Sequence, residues 1–214
     1  MSLPEIVSRE RWLAARAELL AKEEAAARAR DALNAERRRL PMVEVETEYV
    51  FEGGDGKATL LDLFQGRTQL VVHHFMFAPR WEAGCPNCAA FLDQIGHLAH
   101  LHARGTSFAV VSRAPFTRIL PFKARMGWAV PWFSSYDNEF NQDFEVTLEW
   151  GGKCVERPGV SCFLRERDRV FHTYSAYGRA LDTLGATVGL LDLTALGRAP
   201  EGSDRVRYHD EYED

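Results

Sequence analysis

Two thiols three positions apart, in Cys85-Pro86-Asn87-Cys88, stand between an apolar run and an amphipathic segment. The run Leu70-Val71-Val72-His73-His74-Phe75-Met76-Phe77 is partly β-branched, as a buried strand is. After a loop from Ala78 to Gly84 come the cysteines. Beyond them Phe91, Leu92, Ile95, Leu98 and Leu101 recur at spacings of three and four, which predicts a helix stopped by Gly105. Cys85 is thereby placed at the N-terminus of a helix that follows a buried strand.

That position has a chemical consequence. Unpaired N–H groups and the positive end of the helix dipole favour an anion, and the thiolate is the reactive form of cysteine. Pro86 suits an early helical position, where its missing N–H has no intrahelical use. Cys85, at the exposed end, is the expected nucleophile, and Cys88, one turn inward, the resolving thiol of a catalytic dithiol.

The chain has 214 residues, of which 46% are hydrophobic and 11% aromatic, enough for one sizeable core with appendages. A net charge of -5 argues against nucleic acid as a partner. No run approaches the length of a membrane span, and Met1-Ser2-Leu3-Pro4-Glu5-Ile6 lacks the basic-then-apolar order of a secretory leader. The expectation is a soluble, cytoplasmic protein with no membrane partner. In a reducing compartment a Cys-x-x-Cys pair reads as redox-active or metal-binding before it reads as a structural disulfide. Metal binding needs two further ligands, and Cys154 and Cys162 have the wrong spacing for a zinc ribbon. No metal and no cofactor are expected, and nothing resembles a Gly-rich nucleotide loop.

Residues 5 to 40 contain neither Gly nor Pro, and Trp12, Leu19, Ala26, Leu33 and Leu40 fall on a seven-residue interval. With Ser8 as N-cap and Pro41 as terminator, a helix from Arg9 to Arg39 would be about 47 Å long. A globule of this size has a radius of gyration of about 17 Å. The helix must therefore break, project, or pair, and a homodimer through residues 1–41 is one expectation. A broken helix packed on its own domain is the other. Residues 42–200 read as one mixed α/β domain, and residues 201–214 as a polar, mobile tail.

Within that domain Val43 to Phe51 alternates as a strand, and Gly53-Gly54-Asp55-Gly56 forms a turn. Ser107 to Ser112 is a buried strand. Ile119 to Met126 is a helix stopped by Gly127, and Val160–Leu164 with Val170–Tyr174 is a hairpin. Thr183 to Leu193 is a closing helix weakened by two glycines.

Strand, Cys-x-x-Cys helix, strand, helix, hairpin, helix is the order of a thioredoxin-like fold, a three-layer α/β sandwich on a central mixed sheet. The lead-in from Leu60 to Phe77 resembles the start of peroxiredoxin and related domains. The segments Asp31 to Pro41, His74-Phe75-Met76-Phe77, His97-Leu98-Ala99-His100-Leu101, Val111-Ser112-Arg113-Ala114-Pro115 and Phe171-His172-Thr173-Tyr174 resemble a bacterial family of predicted dithiol-disulfide oxidoreductases. It is catalogued as family 899 of the domains of unknown function. The resemblance spans about residues 4 to 198 and implies a redox pair at Cys85 and Cys88. It also implies a disulfide or thiol substrate and a thiol reductant, without naming either.

Departures from better-known relatives matter as well. Pro86 follows the first cysteine, as in glutaredoxin, whereas thioredoxin places proline before the second. Strand alignment puts Ser161, not proline, where thioredoxin-like enzymes carry their cis-proline, with Pro158 three residues early. Cys162 would then lie near the dithiol, as a third redox partner or as a small apolar residue. Peroxiredoxins need a Pro and a Thr or Ser at fixed distances before the reactive cysteine. Ala78 and Glu82 occupy those places for Cys85, so peroxiredoxin chemistry is not expected.

Arg113, at the carboxyl edge of the neighbouring strand, is expected to stabilise the Cys85 thiolate or a substrate anion, or else to form a structural ion pair. At most one of His73 and His74 can face the dithiol, because they alternate along a strand. Trp81, Trp128, Trp132 and Phe133 are candidates to shape an apolar cleft, or to be core. The alternative to an oxidoreductase is a thioredoxin-like binding or scaffold protein whose dithiol is idle, and a third reading, less favoured, is a metal-binding protein.

Overall fold

The structure, a computed structural model, describes residues 4–198 and 206–212. It opens with α1 (Arg9–Arg37), one unbroken helix whose N-cap Ser8 accepts from the Arg11 N–H at 3.3 Å. Then come β1 (Val43–Glu44), β2 (Val50–Gly53), β3 (Gly56–Thr59), a 3-10 turn (Asp62–Phe64) and β4 (Gln69–His74). The helices α2 (Pro86–Leu92) and α3 (Ala99–His102) lead to β5 (Thr106–Ser112), α4 (Phe116–Arg125), β6 (Trp132–Ser134) and α5 (Phe140–Asp143). Two hairpins follow, β7 (Thr147–Trp150) with β8 (Lys153–Glu156) and β9 (Gly159–Glu166) with β10 (Arg169–Tyr177). A 3-10 segment (Gly178–Leu184) and α6 (Ala186–Asp192) close the domain.

Eight strands form one mixed sheet in the order β1-β10-β9-β4-β5-β6-β2-β3. Strands β4, β5 and β6 run parallel, β9 pairs antiparallel with β4 and β10 antiparallel with β9, so β5-β4-β9-β10 is the strand order expected of the thioredoxin-like arrangement. Alternation along β5 shows why both faces need cover. Phe108 and Val110 join Leu92, Ile119 and Phe122 of α2 and α4 on one side, while Ala109 and Val111 join Phe64, Phe140 and Phe144 on the other. The result is the three-layer α/β sandwich with an N-terminal helical extension.

The stretch expected to be one strand from Val43 to Phe51 is divided between opposite ends of the sheet. Glu44 and Val50 lie six strand spacings apart in the order, about 29 Å if the sheet were flat. Six residues reach about 21 Å at most. The short connection is therefore met by a curled sheet, in keeping with the right-handed twist of its strands.

The helix expected to run from Cys88 to Gly105 is broken into α2 and α3. Gln94, just past α2, donates to the Ala90 carbonyl at 2.6 Å and accepts from the Thr187 N–H at 2.7 Å. These bonds tie the break to α6, and Ile95 and Leu98 still reach the core beneath it. Gly105 and Gly127 do stop their helices, at φ of 64° and 66°, where a side chain would strain the backbone.

The tail departs from expectation too. Residues 206–212 are docked: Tyr208 is buried, and its hydroxyl donates to the Gly84 carbonyl. Arg125 of α4 grips Asp210 at 2.7 Å and Glu211 at 3.0 Å. One aromatic ring buried among Phe122 and its neighbours holds a segment that composition alone marks as loose. The rest of the stretch expected to be mobile, 201–205 and 213–214, lies outside the described residues.

Candidate functional site

β4 ends at His74, and Phe75, Met76 and Phe77 leave the sheet to bring the chain over its carboxyl edge. Cys85 returns as the N-cap of α2, with extended backbone (φ -68°, ψ 128°), and Pro86 takes the first helical position. Gly84 must lack a side chain, because a Cβ there would lie 2.9 Å from a ring carbon of Phe122. Met76 serves both cysteines: its carbonyl accepts from the Cys85 N–H at 2.9 Å, and its N–H is directed at the Cys88 sulfur.

The two thiols differ in environment. Cys85 is partly exposed and Cys88 is 2% exposed. The Cys88 thiol donates to the Cys85 sulfur, and the backbone N–H groups of Cys88 and Asn87 point at it too, which together bring the Cys85 pKa down to about 6 against the opposing effect of burial. Cys88 goes the other way, held protonated by its bond to Cys85 and by desolvation. One thiolate at the surface and one thiol behind it is the division of labour that nucleophile and resolving groups require.

A cleft of about 440 Å³ runs along α2 beside this pair. His73 and Cys88 are on its floor, Asn87, Phe91 and Gln94 form one wall, and Pro158, Arg179, Leu181 and Val188 the other. His73 is the histidine on the dithiol side, packed at 4.6 Å between ring centroids on Phe91. Burial drives its pKa down to about 3, so a neutral imidazole faces the dithiol rather than a cation.

Several expected supporting residues lie elsewhere. Ser161 does not face the dithiol. It is fully buried on the opposite face, where its hydroxyl bonds His74 Nε2 at 2.7 Å and Ser175 at 2.7 Å, and Ser175 bonds His172 at 2.8 Å. Pro158, directly ahead of β9, is the residue that reaches the cleft, because Gly159 pairs with His74 at the very end of β4. Cys162 pairs with Val71, two residues further down the sheet than the His73–Val160 pair. Burial raises its pKa despite the nearby Arg37 charge, so it reads as a small apolar residue.

Arg113 is tied to Glu156 at 2.8 Å as an ion pair, while the groups that lower the Cys85 pKa are the Cys88 thiol and the Cys88 and Asn87 N–H groups. Trp128 and Trp132 are packed with Phe75 and Phe122 in the core beneath α2, Phe133 packs on the opposite face, and Trp81 is a 39% exposed loop residue. Among the described residues no three His, Cys, Asp or Glu side chains gather as a metal would need, and no helix is long and apolar enough to cross a membrane.

Sequence reasoning missed the Met76 backbone, the Tyr208 clasp and the Arg179–Leu181 wall. Met76 acts through groups that every residue has, and the other two lie 120 and more than 90 residues from Cys88. Only Tyr208, one of two tyrosines in a polar tail, carried a readable signal.

Solved structures share this fold. A cysteine-to-serine variant of peroxiredoxin Q from Xanthomonas campestris superposes with a TM-score of 0.52 at 17% identity, covering 71% of this chain and 98% of that one. The bacterioferritin comigratory protein of Xanthomonas campestris, described for its alkyl peroxide reduction activity, gives 0.51 at 17% identity over 71% and 98%. At such identity the likeness is one of fold, and the fold is thioredoxin-like. No curated protein sequence matches the chain. Residues 1–212 match the family described as "Bacterial protein of unknown function (DUF899)", and the chain belongs to that family.

Proposed function

We propose that the protein is a thiol-disulfide oxidoreductase in which Cys85 is the nucleophile and Cys88 the resolving thiol. The observation that carries this reading is the placement of a partly exposed Cys85 sulfur under three donors at the start of α2, with Cys88 buried behind it. A thiolate at neutral pH is the species that attacks a disulfide, and the neighbouring thiol then releases the reduced product. The partners are a disulfide or thiol substrate and a thiol that re-reduces the pair.

The solved neighbours include peroxide-reducing proteins, but Ala78 and Glu82 stand where a peroxidase of that type needs proline and a hydroxyl, so disulfide exchange is the better reading. A scaffold with an idle dithiol would have no need of a lowered Cys85 pKa.

The test is the reduction potential of the pair, measured in glutathione buffers with thiol trapping and with Cys88→Ser as control. A reversible two-electron transition between about -300 and -100 mV is expected. Because the Cys85 thiolate stabilises the reduced form above about pH 6, the potential should fall by about 59 mV per pH unit below that pH and about 30 mV above it. A pair that never forms a disulfide removes the oxidoreductase reading and leaves the scaffold.

A further inference from the structure

The cleft beside α2 has a chemical character of its own. Phe91, Leu181 and Val188 give it apolar walls, and its volume of about 440 Å³ falls in the range that takes one small molecule. Its charges are unequal. Asp182 on the rim is faced by Arg198 at 3.6 Å, so its charge is partly answered. Arg179 lines the same cleft, is exposed, and has no ion pair among the described residues. In a chain of net charge -5, an unanswered guanidinium beside the Asp182–Arg198 pair is a local reversal of sign.

Resting on the dithiol reading above, we propose that this cleft receives a low-molecular-weight disulfide bearing carboxylates, with its carbon skeleton along Phe91 and Leu181 and a carboxylate on Arg179. A guanidinium offers paired N–H donors that match a carboxylate, and it is weakly enough hydrated to do so at a rim. The floor supplies no competing cation, since His73 is neutral there.

The exchange balances within the pair. The Cys85 thiolate attacks one sulfur of the small disulfide, forming a mixed disulfide and expelling one thiolate. Cys88 gives up its proton and attacks the Cys85 sulfur, forming the Cys85–Cys88 disulfide and expelling the second half as the thiol. Two electrons pass from the protein dithiol to the small disulfide, and the Cys88 proton leaves with the second product.

Three probes decide it with the reduced full chain: glutathione disulfide, which is anionic, bis(2-hydroxyethyl) disulfide, which is neutral, and cystamine, which is cationic. Second-order rates of dithiol oxidation are expected to fall in that order, with the anionic probe about tenfold ahead of the neutral one at low salt. In Arg179→Glu the anionic-to-neutral ratio should collapse by about tenfold, and Arg179→Lys should restore part of it. A merely structural role for Arg179 would move both rates together and leave the ratio alone, which would overturn the proposal. Equal rates for all three probes in the unaltered protein would overturn it while leaving the dithiol reading intact. Failure of every probe to oxidise the pair would remove both.

Discussion

Arg113 Nη1 donates to Glu156 Oε1 at 2.8 Å, and the Glu156 side chain is only 4% exposed. Burial raises the Glu156 pKa, and the Arg113 charge, together with a 3.0 Å bond from Thr147, offsets part of that. The pair links the end of β5 to the β7–β8 hairpin. Arg113→Ala strands a carboxyl in the interior, a change that costs about 3 kcal/mol when one partner of a buried pair is removed. Urea unfolding of Arg113→Ala should show that loss, and the Cys85 pKa should stay at its unaltered value. A moved Cys85 pKa would return Arg113 to the site.

Tyr208 holds Gly84, the residue immediately before Cys85, and its neighbour His209 bonds Asp93 at 2.8 Å, at the other end of α2. The described part of the tail therefore clasps both ends of the dithiol helix. Tyr208→Phe keeps the ring and loses the bond to Gly84, at about 1 kcal/mol. With Gly84 less constrained, the N–H groups over the Cys85 sulfur are less well aimed, and the Cys85 pKa should rise from about 6 toward its ordinary value. The rate of iodoacetamide alkylation against pH, compared between Cys88→Ser with and without Tyr208→Phe, reads the change made by the clasp. An unmoved midpoint would make the clasp structural only.

What the sequence disclosed and what it hid follow from range. The strand before Cys85, the helix start at Pro86, the Ser8 cap and the stops at Gly105 and Gly127 depend on neighbours within a few residues, and each is legible in periodicity or turn chemistry. The split of Val43–Phe51 across the sheet, the break after Leu92 and the docking of Tyr208 depend on partners far along the chain. Ser161 shows the limit within the site itself. An offset of three residues between Pro158 and Ser161 exchanges the two faces of β9, so an alignment error that small moves a residue from the dithiol to the far side of the sheet.

His73 and His74 are both 1% exposed, and burial lowers each pKa to about 3. The unfolded chain binds those protons near pH 6.5, so unfolding takes up protons below that pH. The stability they contribute is complete above about pH 6.5 and is lost progressively as pH falls toward 3, at up to about 1.4 kcal/mol per unit for each ring. His172, half-buried with its pKa also lowered, acts in the same direction. Between pH 7 and 5, above the range where most carboxylates titrate, each of the two should account for about 2 kcal/mol. His73→Phe, set between Phe75 and Phe91, should remove one such share of the slope in urea unfolding. An unchanged slope would mean that the ring is charged in the folded state.

α1 has 29 residues, a length of about 44 Å, and not one of them is buried. Trp12, Leu19 and Leu33 expose half or more of their surface, and with Ala26 they keep the seven-residue interval that seams two helices together. Its last turns meet the domain, where Asn34 and Ala35 are half-buried and the Arg37 guanidinium lies 4.6 Å over the Tyr174 ring. An isolated helix of this kind gains little from propensity alone and is stabilised chiefly by covering its apolar side. A second copy of the chain offers the matching seam. Sedimentation equilibrium should therefore find the full chain at twice its subunit mass and a chain beginning at Met42 at one subunit. Because the truncation removes no buried residue among the described ones, the shortened chain should keep its fold and its Cys85 reactivity. If both sediment with the same number of subunits, the arm is not the dimer element.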